Sequence, residues 1–450
     1  MTVVPDAVAT RRLLDRFGFG ARPGELSAAV GQGFAATLDA MLAPAPSDPG
    51  VAATPPPALT SIANRGKAGT PAQKAAQQER AQGQNALTRW WLDRMWAAER
   101  SLPERLTWFW HGHFATSAQK VNQPAYLLTQ NESLRRLGSG DFRSLAQAMI
   151  VDPAMLVWLD GRTNRVGSPN ENLGREFMEL FSLGVGHYTE TDVREAARAL
   201  TGWTVNASTG TARLVARRQD TGPKTILGQT AAFDAPSFVN MVVARPESAA
   251  FVAGRLWFRL VSTTPPPPGV LAQLTAAYGP GRDLGALLRA IATSAPFHDS
   301  ATTLVKQPVE WAIGLMRAVG TRPSSVTTAP RARPVAATAA ARADPVHQHL
   351  QALGQVPFLP PSVGGWPGGT SWLTPSAQLD RLALAQAVIA HAAIPPGPTG
   401  PNAQIDWARQ VLGVDAFGPR STDALRDVAG GDPRSVLTVA ALTPEYVIST

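Results

Sequence analysis

Two acidic residues three apart and a His-x-His pair are the residues in this chain whose types and spacing suit chemistry. Glu176 and Glu179 lie in NENLGREFMELFSLG. At about 100° per residue they share, with Asn172, a flank at the margin of the apolar stripe of Leu173, Phe177, Leu180 and Phe181. A carboxylate at such a boundary either pairs with a cation on a neighbouring helix or is an acid with a shifted pKa. In the second case Glu176 and Glu179 act as acid and base, or as hard ligands of a divalent ion beside imidazole. His111 and His113 of FWHGHF are the imidazoles available for that metal. A His-x-His pair chelates from a strand or an extended helix end, which Gly112 would mark, whereas in a regular helix the two rings face different ways. His113 is then a hydrogen-bonded core histidine in an aromatic wall.

Substrate contacts follow from the same neighbourhood. Asn170, Asn172 and Arg175 supply polar groups, and Trp366 in PFLPPSVGGWPGGTSW offers a wall for a flat ligand such as a sugar ring. A tryptophan in a Gly-rich loop also caps cores, and packing is the commoner use. Glu171 with Arg175, and Arg175 with Glu179, read equally as a solvated i,i+4 ladder.

Helices must position these groups. Ser168, Pro169 and Glu171 have the form of a capping box that starts a helix, and Gly184 is a left-handed stop. Thr189 with Asp192 caps the next helix, whose inner face is Val193, Ala196, Ala197 and Leu200, with Tyr188 and Val193 as a staple. Ser101, Pro103 and Glu104 repeat the capping pattern ahead of LTWFWHGHF. Further helices are expected over 6–17, 23–41, 235–244, 246–261, 281–294, 307–319 and 376–393. Lys306 would place an ammonium at the carboxylates. Between 206 and 236 the pattern turns to period two around Gly222-Pro223, which reads as one β-hairpin insertion, with 211–227 dispensable for folding. Residues 43–85 read as a mobile connection, 321–345 as a low-complexity linker and 394–403 as a Pro/Gly linker. The fold class is all-α, a multi-helical single core over 1–450 with a small β-hairpin insertion and long Pro/Gly/Ala-rich loops.

Composition narrows the function classes. With 450 residues, 44% of them hydrophobic, the chain can bury a sizeable core. Its net charge of +8 is carried mostly by scattered arginines, so no dense basic run marks a nucleic-acid tail. The absence of cysteine removes disulfides, thiolate metal sites and cysteine nucleophiles. No apolar run of membrane-spanning length occurs and the N-terminal stretch has no signal-peptide core, which places the chain as written in the cytoplasm.

The succession GDFRSLAQAMIVDPAMLVWLD, then SPNENLGREFMELFSLGVGHYTETDVREAARALTGW, with FWHGHF upstream and KTILG, LVKQPVEW and GGWPGG downstream, resembles the bacterial family labelled domain of unknown function 1800. The likeness runs from RRLLDRFGFG to LTPEYV. It implies a mostly helical protein of a kind frequently exported and often encoded beside a sulfatase-like family, with no assigned activity. Many relatives have His-Asp before KTILG where this chain has Gln219-Asp220, so chemistry needing that imidazole is not carried over. Two readings of function result. One is a hydrolase, metal-assisted if a divalent ion is bound, acting through the clustered carboxylates and histidines on a carbohydrate or ester. The other is a non-catalytic binding or assembly protein whose polar cluster is a structural ion-pair network.

Overall fold

A computed structural model describes residues 3–44, 47–62, 69–327 and 344–450. Most of the linker expected at 321–345, and parts of the connection expected at 43–85, lie outside these residues. Among them the architecture is helical, and the sheets are three separate pairs of short antiparallel strands. The all-α expectation therefore holds.

The helix Ser101–His113 runs between two buried clusters. Leu106, Phe109 and Trp110 face one, built by the helices Phe142–Ile150, Ala235–Ala244, Pro246–Leu260 and Leu284–Ala292. Trp108 faces the other, built by Pro71–Ala97, Pro308–Ala318 and Pro375–Ala390. The consecutive aromatics Trp108, Phe109 and Trp110 let one helix face two cores. Its start differs from the capping box expected there. Arg100 holds the cap position without a side-chain bond, and Glu104 is instead a buried anion. Its carboxylate accepts from Arg94 at 2.7 Å, from Arg135 at 2.6 and 2.9 Å and from the Trp91 indole at 3.1 Å. Three donors from two other helices outweigh one local backbone amide.

Residues 71–85 are not a connection. They open the long helix Pro71–Ala97, with Thr70 at its cap and Pro71 at its first position. The expected helix over 23–41 is two helices, Glu25–Gln32 and Phe34–Leu42, divided at Gly33, whose φ of 83° no helix interior allows.

The single hairpin expected over 206–236 is two. Trp203–Val205 pairs with Ala212–Leu214, and Lys224–Ile226 pairs with Gln229–Ala231. The second turns at Leu227 and Gly228, both at positive φ, as a two-residue hairpin turn requires. Gly222-Pro223 lies between the hairpins rather than at a tip. Nor is the second hairpin an appendage. Ile226 is fully buried in the first cluster, and the Leu227 amide donates to Asp192 at 2.6 Å. The buried Lys224 ammonium donates to the carbonyls of Asp220 and Gly222 at 2.7 and 2.8 Å.

Candidate acid–base site

Glu176 and Glu179 stand on a helix that changes gauge. It begins as the α-helix Asn172–Glu176 and widens into a π-helix over Phe177–Ser182. No capping box starts it. Ser168 belongs to a tight turn, its amide donating to Arg165, and the helix begins four residues later with Glu171 at the cap. The start is set instead by Asn164, whose Oδ1 accepts from the Asn170 amide at 3.0 Å while its Nδ2 donates to Ala197 at 2.8 Å. Buried Asn164 thus ties the loop to the following helix. The stop is as expected, with Gly184 at φ 89°. The Leu183 amide donates to Met178 five residues back, the bond of a π turn.

That wide turn rearranges the charges. The i,i+4 pair Glu171–Arg175 forms at 3.1 Å, but Arg175 does not pair with Glu179. Its guanidinium turns to Glu190 across the gap and donates to both carboxylate oxygens, at 2.7 and 2.8 Å. Glu179 accepts from the Tyr188 hydroxyl instead. Glu176 has neither a hydrogen bond nor an ion pair among the described residues. It is half-buried, and its carboxyl is raised above its ordinary value by burial and then by the charge of Glu179, with Arg175 opposing. The Tyr188 phenol is pushed up to about 12 by burial and by its bond to Glu179. Glu176, Glu179 and Tyr188 form one electrostatically coupled group.

Asn170 and Asn172 flank the helix start. Asn170 Oδ1 accepts from the Asn172 amide, and the exposed Asn172 side chain donates to Asp160 at 3.4 Å. Just past the end of the π-helix is a cavity of about 460 Å³, lined by Leu183, Gly184, His187, Pro246, Glu247, Ala250 and Phe251. Its apolar wall is Leu183, Ala250 and Phe251, and His187 and Glu247 supply its titratable groups.

The other expected members of the site lie elsewhere. His111 and His113 are inside a regular helix turn, and Gly112 marks no frayed end. It is the surface against which the loop glycine Gly365, at φ 78°, packs so closely that a Cβ there would come within 2.1 Å of the Gly112 carbonyl. The two imidazoles face opposite clusters. His111, 1% exposed, accepts the Phe358 amide at 3.0 Å through Nε2 and lies among Trp91, Trp108 and Trp366. His113, 2% exposed, donates through Nε2 to the Phe181 carbonyl at 2.9 Å and stacks on Phe109. The two rings therefore carry their protons on different nitrogens, Nδ1 in His111 and Nε2 in His113. Burial pushes both down to about 3, the nearby Arg255 charge adding to the effect at His113. They are not brought together as a ligand pair, and among the described residues no three His, Asp or Glu side chains are grouped to hold a metal ion.

Trp366 is a packing residue rather than a ligand wall. It is 4% exposed and stacks on Trp108 at 5.0 Å, so neither face is free to meet a sugar. Lys306 is distant from the carboxylates as well. Its ammonium pairs with Asp15 at 3.2 Å and sits 4.3 Å over the Tyr446 ring. Gln219 packs under Gly202, and its neighbour Asp220 accepts from Arg198 at 2.8 and 3.3 Å. Two features of the candidate site were not expected from the residue spacing. One is the Tyr188 hydroxyl, whose legible signal was the pair Gly184 and Gly186 that folds the chain back on Glu179. The other is the π turn, which no residue spacing announces.

No helix among the described residues is long and apolar enough to cross a membrane. Neither any curated protein nor any solved structure matches the chain. One family model matches it from residue 12 to residue 448. With nearly its whole length matched, the chain belongs to the family described as "Protein of unknown function (DUF1800)".

Proposed function

We propose that this protein is a hydrolase in which Glu176 is the general acid and Glu179 the general base. The observation that carries this reading is the asymmetry of the two carboxyls. Glu176 is half-buried, without a cation partner and biased toward its protonated form, while Glu179, three residues on, is held as the acceptor of Tyr188. Two coupled carboxyls in unlike environments are the usual arrangement for acid and base roles in one site. Glu179 takes a proton from the attacking water, the oxygen bonds to the electrophilic carbon, and the leaving oxygen departs with the proton of Glu176. Transfer of the proton from Glu179 back to Glu176 through solvent restores the resting state. Asn172 and Arg175 lie along the same helix edge as polar contacts for substrate.

With Trp366 packed in the core, the sugar platform falls away. The apolar cavity of Leu183, Ala250 and Phe251 favours an ester with an apolar acyl group over a carbohydrate. The test is turnover of a panel of chromogenic esters and glycosides by the parent, Glu176→Gln and Glu179→Gln. We expect ester hydrolysis that falls about a hundredfold or more in each variant, with circular dichroism unchanged. Equal turnover in parent and variants, or none on any substrate, would return the cluster to the non-catalytic assembly reading.

A further inference from the structure

The loop before the acid–base helix, the first hairpin and the short helical turn Ala216–Arg218 that follows it together present a cationic surface that nothing above employs. Arg162, Arg165, Arg217 and Arg218 lie on it, and none has an acidic partner among the described residues. The surface is knitted as one unit. The Val166 amide donates to the Arg218 carbonyl at 2.8 Å, and Arg218 Nη2 donates to the Arg162 carbonyl at 3.0 Å. The local acids are already engaged, Asp160 by Lys120 and Asp220 by Arg198. The cations are therefore not neutralised from within.

A second, independent observation concerns the same surface. Val166 and Leu214 are 47% and 43% exposed, two of the few large apolar side chains that face solvent among the described residues. Val166 directly follows Arg165 in the loop, and its amide is bonded to Arg218. Leu214 lies over Gly202, whose amide donates to Asn164 of that loop. Guanidinium groups around projecting aliphatic side chains match the boundary of an anionic bilayer, where phosphates meet acyl chains. A nucleic-acid backbone would match the arginines but leave the aliphatic groups in water, and base stacking calls for aromatic rather than aliphatic side chains.

We infer that this face, Arg162, Arg165, Val166, Leu214, Arg217 and Arg218, docks the protein on an anionic lipid surface. Docking is peripheral, with Val166 and Leu214 reaching the headgroup boundary.

The probe is vesicles of phosphatidylglycerol and phosphatidylcholine in a 1:1 ratio, compared with phosphatidylcholine alone. The full chain is expected to sediment with the anionic vesicles at low salt, to remain free with the neutral ones, and to be released by high salt. Arg162→Glu/Arg165→Glu/Arg217→Glu changes only exposed side chains, and it should weaken binding on the order of a hundredfold or more. Since the chain has no cysteine, Val166→Cys carries a single polarity-sensitive fluorophore. Its emission should shift to the blue with anionic vesicles, while the same label at Asp423→Cys should not respond. Absence of binding to anionic vesicles, or equal binding by the triple variant, overturns the inference. So does binding to a DNA duplex or an acidic protein that exceeds binding to vesicles.

Discussion

The phenol of Tyr188 donates to Glu179 across the Gly184 reversal, nine residues apart in the chain. One side chain thus joins the end of the π-helix to the start of the next helix. It also fixes which of the two carboxyls is the hydrogen-bond acceptor. Replacing Tyr188 by Phe keeps the ring and removes the donor. The expected loss is about 1 kcal/mol, the ordinary worth of one such bond, read as a lower urea midpoint. In the proposed mechanism the same change alters the pH profile of ester hydrolysis, because Glu179 loses its donor. A Phe variant with the parental midpoint and pH profile would show the bond to be idle.

Glu176 gives a prediction about pH with a definite sign. Its folded-state carboxyl is raised by burial and by Glu179, so ionisation is harder in the fold than in the unfolded chain. The resulting penalty is absent at acid pH, where both states are protonated, and accrues as pH rises past the ordinary carboxyl value. Glu176→Gln removes the penalty. Its unfolding midpoint should exceed the parent's at pH 7, by about 1 kcal/mol or less because the group is half-exposed, and should meet it near pH 4. If Glu176 served a buried ion pair, removing it would cost on the order of 3–5 kcal/mol. Thermal melts at the two pH values separate these outcomes.

How much of this was legible follows from the range of the forces involved. The Thr189–Asp192 capping box, the Gly184 stop and the inner face of Val193, Ala196 and Leu200 are local, and the structure has all three. No box forms at Ser168 because buried Asn164, four residues upstream, accepts from the Asn170 amide and the helix starts later, at Asn172, and none forms at Ser101 because Arg94 and Arg135, from other helices, hold Glu104 in charge-assisted bonds stronger than one to a local amide. Periodicity put Glu176 at a boundary, where it lies, and paired Arg175 with Glu179, which the π turn prevents. Trp366 shows the remaining limit. A Gly-rich loop with a tryptophan reads the same whether the ring faces a ligand or, as here, another tryptophan across a Gly112–Gly365 contact.

Deletion of 211–227 with a short Gly/Ser bridge should abolish cooperative unfolding, contrary to what its weak apolar pattern suggests. The segment carries Lys224, Ile226 and the Leu227 amide, all held against the helix Glu190–Ala199 or the first cluster. A milder variant isolates the polar part. Lys224→Met leaves the Asp220 and Gly222 carbonyls without their buried donor, and should cost about 1–3 kcal/mol. A sharp melt at the parental temperature for the deletion would show that the second hairpin is only a surface ornament.

The last prediction rests on the two buried histidines. His111 and His113 are both held down to about 3 by burial, against about 6.5 in an unfolded chain. A depressed imidazole is neutral in both states above the unfolded value. As pH falls below it, the unfolded chain takes up protons that the fold refuses, and stability drops until the folded value is reached. The window is therefore from about pH 6.5 down to about pH 3, with a slope near 1.4 kcal/mol per pH unit for each ring. Between pH 7 and pH 5 each histidine should remove about 2 kcal/mol. The buried Asp152 carboxyl, raised to about 7, contributes in the opposite sense over this interval, so the imidazole share is the difference between the parent and a histidine variant. Urea unfolding at pH 7, 6 and 5 measures it directly. His111→Gln retains an acceptor for the Phe358 amide and should lower the slope by one ring's share. Equal slopes from pH 7 to pH 5 in the parent and in His111→Gln would mean that the ring takes up a proton as readily in the fold as outside it.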